Sequence, residues 1–264
     1  MKVSVVTVAY NAADTIGDTL ESVATQNHDA IEHIVIDGAS SDETMRVVDG
    51  YRNSVAQVVS EPDGGIYHAM NKGIALSTGE IVGTLNADDM YMHDDALECV
   101  AKTFADPSVE ACYGDLVYVD RNHLDKIIRY WTSQDYRAGL FERGWLPAHP
   151  TFFVRRHIYE KYGRFDLKYR VQSDFELTMR LLAVHEIKSV YIPEIIIRMR
   201  MGGTTNNSAM NFIKGNLESY RACKSHGLKI TPLFFLTKWA QRLPQFVKRP
   251  PSIENNPRSD CVDV

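Results

Sequence analysis

Hydrophobic positions in the first hundred residues follow two alternating patterns. Nearly unbroken apolar runs, VSVVTVAYN from Val3 and GEIVGTLN from Gly79, read as strands buried on both faces. Between such runs the apolar residues recur at helical spacing. Ile16, Leu20 and Val23 predict a helix over about 13–26, and Ile66, Met70 and Ile74 predict another over about 64–77. IEHIVIDG and VAQVVSE supply two further strands. Asp42 is placed to cap a helix running to Arg52, and DDALECVAKTFA predicts a helix after the fourth strand. This alternation predicts an α/β fold with an open, twisted, mainly parallel sheet flanked by helices on both faces.

Right-handed crossovers align the C-terminal ends of parallel strands along one edge, where open α/β sheets bind ligands. Three polar clusters end strands here: Tyr10-Asn11, Asp37-Gly38-Ala39-Ser40, and Asn86-Ala87-Asp88-Asp89. All three are expected to meet in one crevice. The second half is less regular. VEACYGDLVYVD predicts one or two strands, HPTFFVRR another strand, and SDFELTMRLLAVHE a helix. IKSVYIPEIIIRMRM reads as strand material broken at Pro193, and NFIKGNLESYRACKSHG as a helix. PLFFLTKWAQRLPQFVKR reads as a final helical extension interrupted at Pro244.

The chain has 264 residues, 44% hydrophobic and 24% charged, enough for one large domain with a sizeable core. A net charge of −5 offers no basic field for nucleic acid, so no nucleic-acid partner is expected. Cys99, Cys112, Cys223 and Cys261 are widely spaced, without zinc-ligand spacing, and read as reduced thiols of a cytoplasmic protein. No signal peptide and no apolar run of membrane-spanning length is expected. No G-x-G-x-x-G or P-loop lysine motif follows the first strand, which argues against a dinucleotide-dependent oxidoreductase and a P-loop NTPase. A sugar-phosphate nucleotidyltransferase would need a Gly-rich basic loop after the first strand, where AYNAADTIGD stands instead.

VVTVAYN, DGASSDET, EPDGGIYHAMNKGIALSTGEIVGTLNADD, HPTFFVRR and SDFELTMRL, in this order, resemble the family-2 glycosyltransferases of the GT-A fold. The likeness spans roughly residues 2–203, and the stretch from Glu61 to Asp89 most resembles bacterial transferases that build surface polysaccharides and glycolipids. It implies an inverting, metal-dependent hexosyltransferase that moves a sugar from a nucleotide sugar, UDP-linked by preference, to a saccharide or lipid-linked acceptor. Residues 1–105 would form the nucleotide-sugar half, 106–230 the acceptor half, and 231–264 an amphipathic helical extension with a polar tail. A non-catalytic nucleotide-sugar-binding protein is the alternative, against which the retained Asp88, Asp89 and Asp174 count.

The resemblance distributes roles as follows. NADD stands where the family carries its DXD motif, so Asp88 and Asp89 are the expected ligands of Mg2+ or Mn2+, one of them nearer the ribose. Asn86 replaces the motif's first aspartate; it can hydrogen-bond a ribose but adds no charge. A divalent cation on the diphosphate would stabilise the leaving group, and hard cations take carboxylate oxygens. The plain alternative is that the two aspartates only cap the next helix. Asp37 would recognise a uracil N3–H, although Asp-Gly also marks an ordinary turn. Thr7, Tyr10 and Asn11 would line the base pocket. Asp63 and Lys72 would lie against the nucleoside and donor sugar, with a solvated face as the alternative for Lys72. Asp174 aligns with the second residue of the family's Glu-Asp motif and would be the base; Ser173 replaces the glutamate. Capping alone would also favour Asp174 there, and Glu176 is the fallback base. His149 is a candidate contact to acceptor or phosphate. Arg198, Arg200 and Gly202-Gly203-Thr204-Thr205 resemble the loop that closes over the diphosphate. Phe234, Phe235, Leu236, Trp239, Leu243, Phe246 and Val247, mixed with Lys238, Arg242, Lys248 and Arg249, fit either peripheral contact with the inner face of the cell membrane or packing on the core.

Overall fold

A computed structural model describes residues 1–202 and 209–250. The elements run β1 (Val3–Ala9), α1 (Ile16–Ala24), β2 (Ile31–Asp37), α2 (Thr44–Asp49), β3 (Gln57–Ser60), α3 (Ile66–Leu76), β4 (Ile81–Asn86) and β5 (Asp89–Tyr91). They continue with α4 (Ala96–Thr103), β6 (Ala111–Val119), β7 (Ile127–Trp131), β8 (Phe153–Arg155), α5 (Arg156–Tyr162) and α6 (Ser173–Met179). The last are β9 (Ser189–Arg200), α7 (Ala209–Ser225), α8 (Phe234–Ala240) and α9 (Pro244–Val247).

Among the described residues nine strands form one sheet, ordered β3-β2-β1-β4-β8-β6-β9-β5, with β7 paired to β6. β1, β2, β3 and β4 pair in parallel, as the apolar runs predict. Their side chains alternate between two helical layers. Val6, Val8, Ile34 and Ile36 pack with Ala69, Met70 and Ile74 of α3. Val3, Val5, Ile81 and Leu85 pack with Leu97 and Val100 of α4. Gly73 is where α3 touches the sheet: a Cβ there would lie 2.1 Å from Val6 Cγ1, so only glycine permits this approach.

Antiparallel pairing enters at β8, which joins β4 to β6, while β6 pairs in parallel with β9. β9 is continuous through Pro193 rather than broken there. Its register against β6 shifts between Tyr113↔Tyr191 and Asp115↔Ile195, and Pro193 falls in that irregularity, where a missing N–H costs no ladder bond. β7 and α5 form from stretches whose pattern predicted neither. The expected strand over HPTFFVRR is confined to Phe153–Arg155, and His149–Thr151 is a 3-10 turn. The first helices are shorter than their apolar periodicity implied. Asp42 supports α2 by accepting the Thr44 amide at 3.0 Å, and also accepts that of Ala13 at 3.1 Å.

The reduced-thiol expectation holds for Cys112 and Cys223, both free and buried; Cys99 is not among the free ones. No helix among the described residues is long and apolar enough to cross a membrane.

Candidate active site

The ends of β1 and β2 are laced together. The Gly38 amide donates to the Ala9 carbonyl at 2.9 Å. Asn11, with φ +48, receives the Ser41 amide on Oδ1 at 2.9 Å, while its own amide donates to Ser40 Oγ at 2.8 Å. Asp37 is fully buried and accepts from Ser40 through both amide and hydroxyl, and from Ser60 Oγ at 2.6 Å. Three donors leave one of roughly four carboxylate lone-pair positions open. A Cβ on Gly38 would sit 3.0 Å from Asp63 Oδ2 and 3.3 Å from Tyr10 Cδ2, so Tyr10 and Asp63 converge over this turn. Tyr10 is 68% exposed, an open aromatic face instead of a core ring. Asp63 turns its other oxygen back to the Gly65 amide at 2.7 Å, shaping the entry to α3.

One expected pocket residue, Thr7, lies elsewhere. Thr7 is fully buried on the α4-facing side of β1, where its hydroxyl meets His33 Nε2 at 2.9 Å. Lys72 is half-buried and pairs with Glu61 at 2.8 Å, just ahead of the Asp63 turn, rather than standing on a solvated face.

β4 leaves the sheet centre at Asn86, and the chain re-enters the sheet three residues later as β5, beside β9. Asp89 therefore belongs to a strand and not to a helix cap. It is fully buried, and its Oδ2 accepts Asn86 Nδ2 at 2.9 Å. Asp89 Oδ1 and Asn86 Oδ1 are buried without a hydrogen-bond partner. Burial and the neighbouring Asp88 charge hold the Asp89 carboxyl well above the usual range, against donation from Asn86 and the Arg200 amide. Burial also raises Asp88, opposed by the charges of Arg200 and Arg121. Two such carboxylates and an orphaned amide oxygen form a donor set that fits a hard divalent cation. No group of three or more His, Cys, Asp or Glu among the described residues forms a metal cage by itself.

Arg200 ends β9 next to this pair. It is 8% exposed, paired to Asp18, and donates to the Arg121 carbonyl at 3.1 Å. Its Nε is buried without a partner. Arg121 and Asp18 were not singled out by sequence; no local motif marks them, because only the pairing of β5, β6 and β9 brings them to Arg200. Of the expected closing loop, Gly203-Thr204-Thr205 lie outside the described residues.

Asp174 sits in the first turn of α6 and is 6% exposed. Tyr67 of α3 donates to its Oδ1 at 3.0 Å, and His149 Nδ1 lies 3.3 Å from its Oδ2. Burial lowers the His149 pKa, with Asp174 pulling the other way, so the ring is mostly neutral near pH 7. Burial and Asp174 push the Tyr67 phenol far above its ordinary value, keeping it a donor. Glu176 faces away, bonded to Arg180 at 2.7 Å and His226 at 2.8 Å, which removes it as an alternative base. The chemistry available is a buried, oriented carboxylate at Asp174 and, where β4 ends and β9 closes, a paired-carboxylate and arginine cluster.

The C-terminal extension divides between the two expectations. Phe234 is buried and belongs to the same core cluster as Val6, whereas Leu236, Trp239, Leu243, Phe246 and Val247 are exposed. Between α7 and α8 lies a cavity of about 350 Å³, lined by Phe212, Asn216, Phe235, Leu236, Lys238, Trp239 and Arg242.

The family described as Glycosyl transferase family 2 matches residues 4–163. A PGL/p-HBAD biosynthesis glycosyltransferase of Mycobacterium bovis (strain BCG / Pasteur 1173P2) is 27% identical over 213 residues, 79% of this chain and 80% of that protein. Among solved structures, S. aureus TarS 1-349 in complex with UDP superposes with a TM-score of 0.63 at 17% identity, over 87% of this chain and 67% of that one. The mannosyltransferase PcManGT from Pyrobaculum calidifontis, in complex with GDP-Man and Mn2+, gives 0.65 at 22% identity, over 91% and 69%. At these identities the two structures speak for the fold, which is that of the GT-A transferases.

Proposed function

The chain belongs to glycosyltransferase family 2, and from that premise we propose that it transfers a sugar, with inversion, from a UDP-linked donor to a saccharide or lipid-linked acceptor. That it is a glycosyltransferase follows from the family; donor, metal and stereochemistry are our reading. The observation that carries it is the Asp88–Asp89 pair, Asp88 half-buried and Asp89 fully buried, with orphaned oxygens on Asp89 and Asn86, beside Arg200. Asp88 and Asp89 would hold Mg2+ or Mn2+. When bound, the cation supplies positive charge to the departing diphosphate. Arg200 adds a fixed positive charge to the same end of the cleft. Tyr10, Asn11 and Asp63 border the nucleoside, and the open acceptor position of Asp37 suits a pyrimidine N3–H. Complexes with UDP and with GDP-Man both occur among the structural neighbours, so Asp37 supplies the preference for UDP.

Asp174 takes the proton from the acceptor hydroxyl as it attacks the anomeric carbon. Tyr67 fixes one of its oxygens, and neutral His149 borders the other without adding charge. On this reading residues 1–105 are the donor half and 106–230 the acceptor half. The relative named for PGL/p-HBAD biosynthesis supports an acceptor of glycolipid kind. The exposed apolar side chains of 231–250, with Arg242, Lys248, Arg249 and no carboxylate in that stretch, support peripheral contact with an anionic membrane surface from the cytoplasmic side.

The test is a panel of UDP- and GDP-sugars incubated with acceptor and Mg2+ or Mn2+, read as nucleoside diphosphate release. UDP release that chelation stops and Asp89→Ala abolishes is the expected result. GDP release alone would overturn the donor assignment, and full activity in excess chelator would overturn the metal.

A further inference from the structure

Lys238 is the one charged residue of α8, and its ammonium points inward. The residue is 5% exposed. Nζ donates to Ser219 Oγ at 2.6 Å and to Gln172 Oε1 at 3.0 Å, and lies 4.9 Å from the centroid of the Phe175 ring. A buried ammonium is costly unless its surroundings return the cost. Burial draws its pKa down to about 7, with Arg242 acting in the same sense and Asp174 opposing. The transfer chemistry proposed above makes no use of it.

What this lysine holds is the turn ahead of α6. Gln172 precedes Ser173 and Asp174, and its Oε1 receives Ser219 Oγ at 2.9 Å as well as Lys238. Glu218 of α7 grips the same turn, accepting the amides of Arg170 at 3.2 Å, Val171 at 2.8 Å and Gln172 at 3.0 Å. Across from α8 the chain makes way for the lysine: Gly144 has φ +81, and a Cβ there would lie 2.3 Å from Lys238 Cβ. Asp174 is thus fixed on one side by Tyr67 and His149, and from behind by two C-terminal helices.

We propose that Lys238 is a positioning residue for sugar transfer: through Gln172 and Ser219 it ties α8 to the helix that carries Asp174, so the C-terminal segment sets the placement of the base. This rests on the reading of Asp174 as base. The test compares Lys238→Met, which keeps the apolar stem and removes the donor, with Gln172→Leu and the double variant, all in the full chain with saturating acceptor. Each single variant is expected to lose about tenfold or more in kcat while donor KM moves less than twofold. The double variant should lose no more than the worse single, since both cut one link. Unchanged kcat in a folded variant, kcat and donor KM moving together, or losses that multiply in the double would each overturn the proposal. If Lys238→Met does not fold, Gln172→Leu decides on the same split. If the unmodified protein transfers no sugar, or Asp174→Asn is fully active, the base assignment falls and this proposal falls with it.

Discussion

Asp174 owes its environment to residues more than a hundred positions away along the chain in one case and about twenty-five in the other, Tyr67 and His149. Replacing it by Asn keeps size and most hydrogen bonding and removes the basicity. Asp174→Asn is expected to lower kcat by about 10²–10⁴-fold and leave donor affinity by calorimetry unchanged; full activity would remove it from the reaction. Single residues at strand ends were the most legible part of the site. Asp37, Asn86, Asp88 and Asp89 are polar where a buried run stops, and parallel topology alone brings such positions together. Thr7 was less legible because the direction of a strand side chain decides its fate. It shares its face with Val3 and Val5, so it points into a helix-covered layer and its hydroxyl answers His33. Lys238 gave no local signal at all: a lysine among aromatics reads as surface until the helix it sits on is docked.

At the scale of elements, hydrophobic period predicted the parallel half well, since strands buried on both faces and one-sided helices leave different patterns. The antiparallel half was harder. β7 is half-exposed and α5 is a seven-residue helix, too short for periodicity to mark, and both form against neighbours already in place. Where β1 meets β2, the buried His33 gives a measurable pH effect. Burial lowers its pKa to about 4, from about 6.5 when unfolded. Between those values the unfolded chain binds a proton that the folded one does not. Stability is therefore fully present above about pH 6.5 and falls toward pH 4, by roughly 3 kcal/mol from this residue. Glu32 on the same strand prolongs the loss below about pH 4.5. Burial raises its carboxyl, but Lys2, Ser4 and Thr78 outweigh that and hold it at about 2. Urea unfolding at pH 7.5 and 4.5 should show the drop, and His33→Gln should remove most of it; an unchanged slope in that variant would place the titration elsewhere.

For the molecule as a whole, one core cluster runs from Val6 on the first strand to Phe234 on α8, so the C-terminal extension is part of the packed body as well as the carrier of an exposed apolar face. Phe234 packs edge-on against Phe175, the residue after Asp174. Ending the chain at Ile230 is expected to cost at least the 3–5 kcal/mol typical of deleting a buried Phe, about what denaturant titration can resolve well. The same truncation should abolish sedimentation with anionic phospholipid vesicles. Unaltered vesicle binding would remove the membrane contact, and unaltered stability would contradict the packing of Phe234.

The order of apolar runs and the polar residues that close them, Asp37, Asn86, Asp88 and Asp89 among them, were settled by the sequence alone, because periodicity and strand-end position are local properties of a parallel α/β chain. The tertiary structure decided which of those side chains face one another. Arg200 reaches Asp89 only through the pairing of β5 with β9, Asp174 is held only because α3 and the 149–151 turn converge on it, and Lys238 turns inward only because α8 docks over Phe175. Each of these depends on contacts between distant segments, and local pattern carries no record of them.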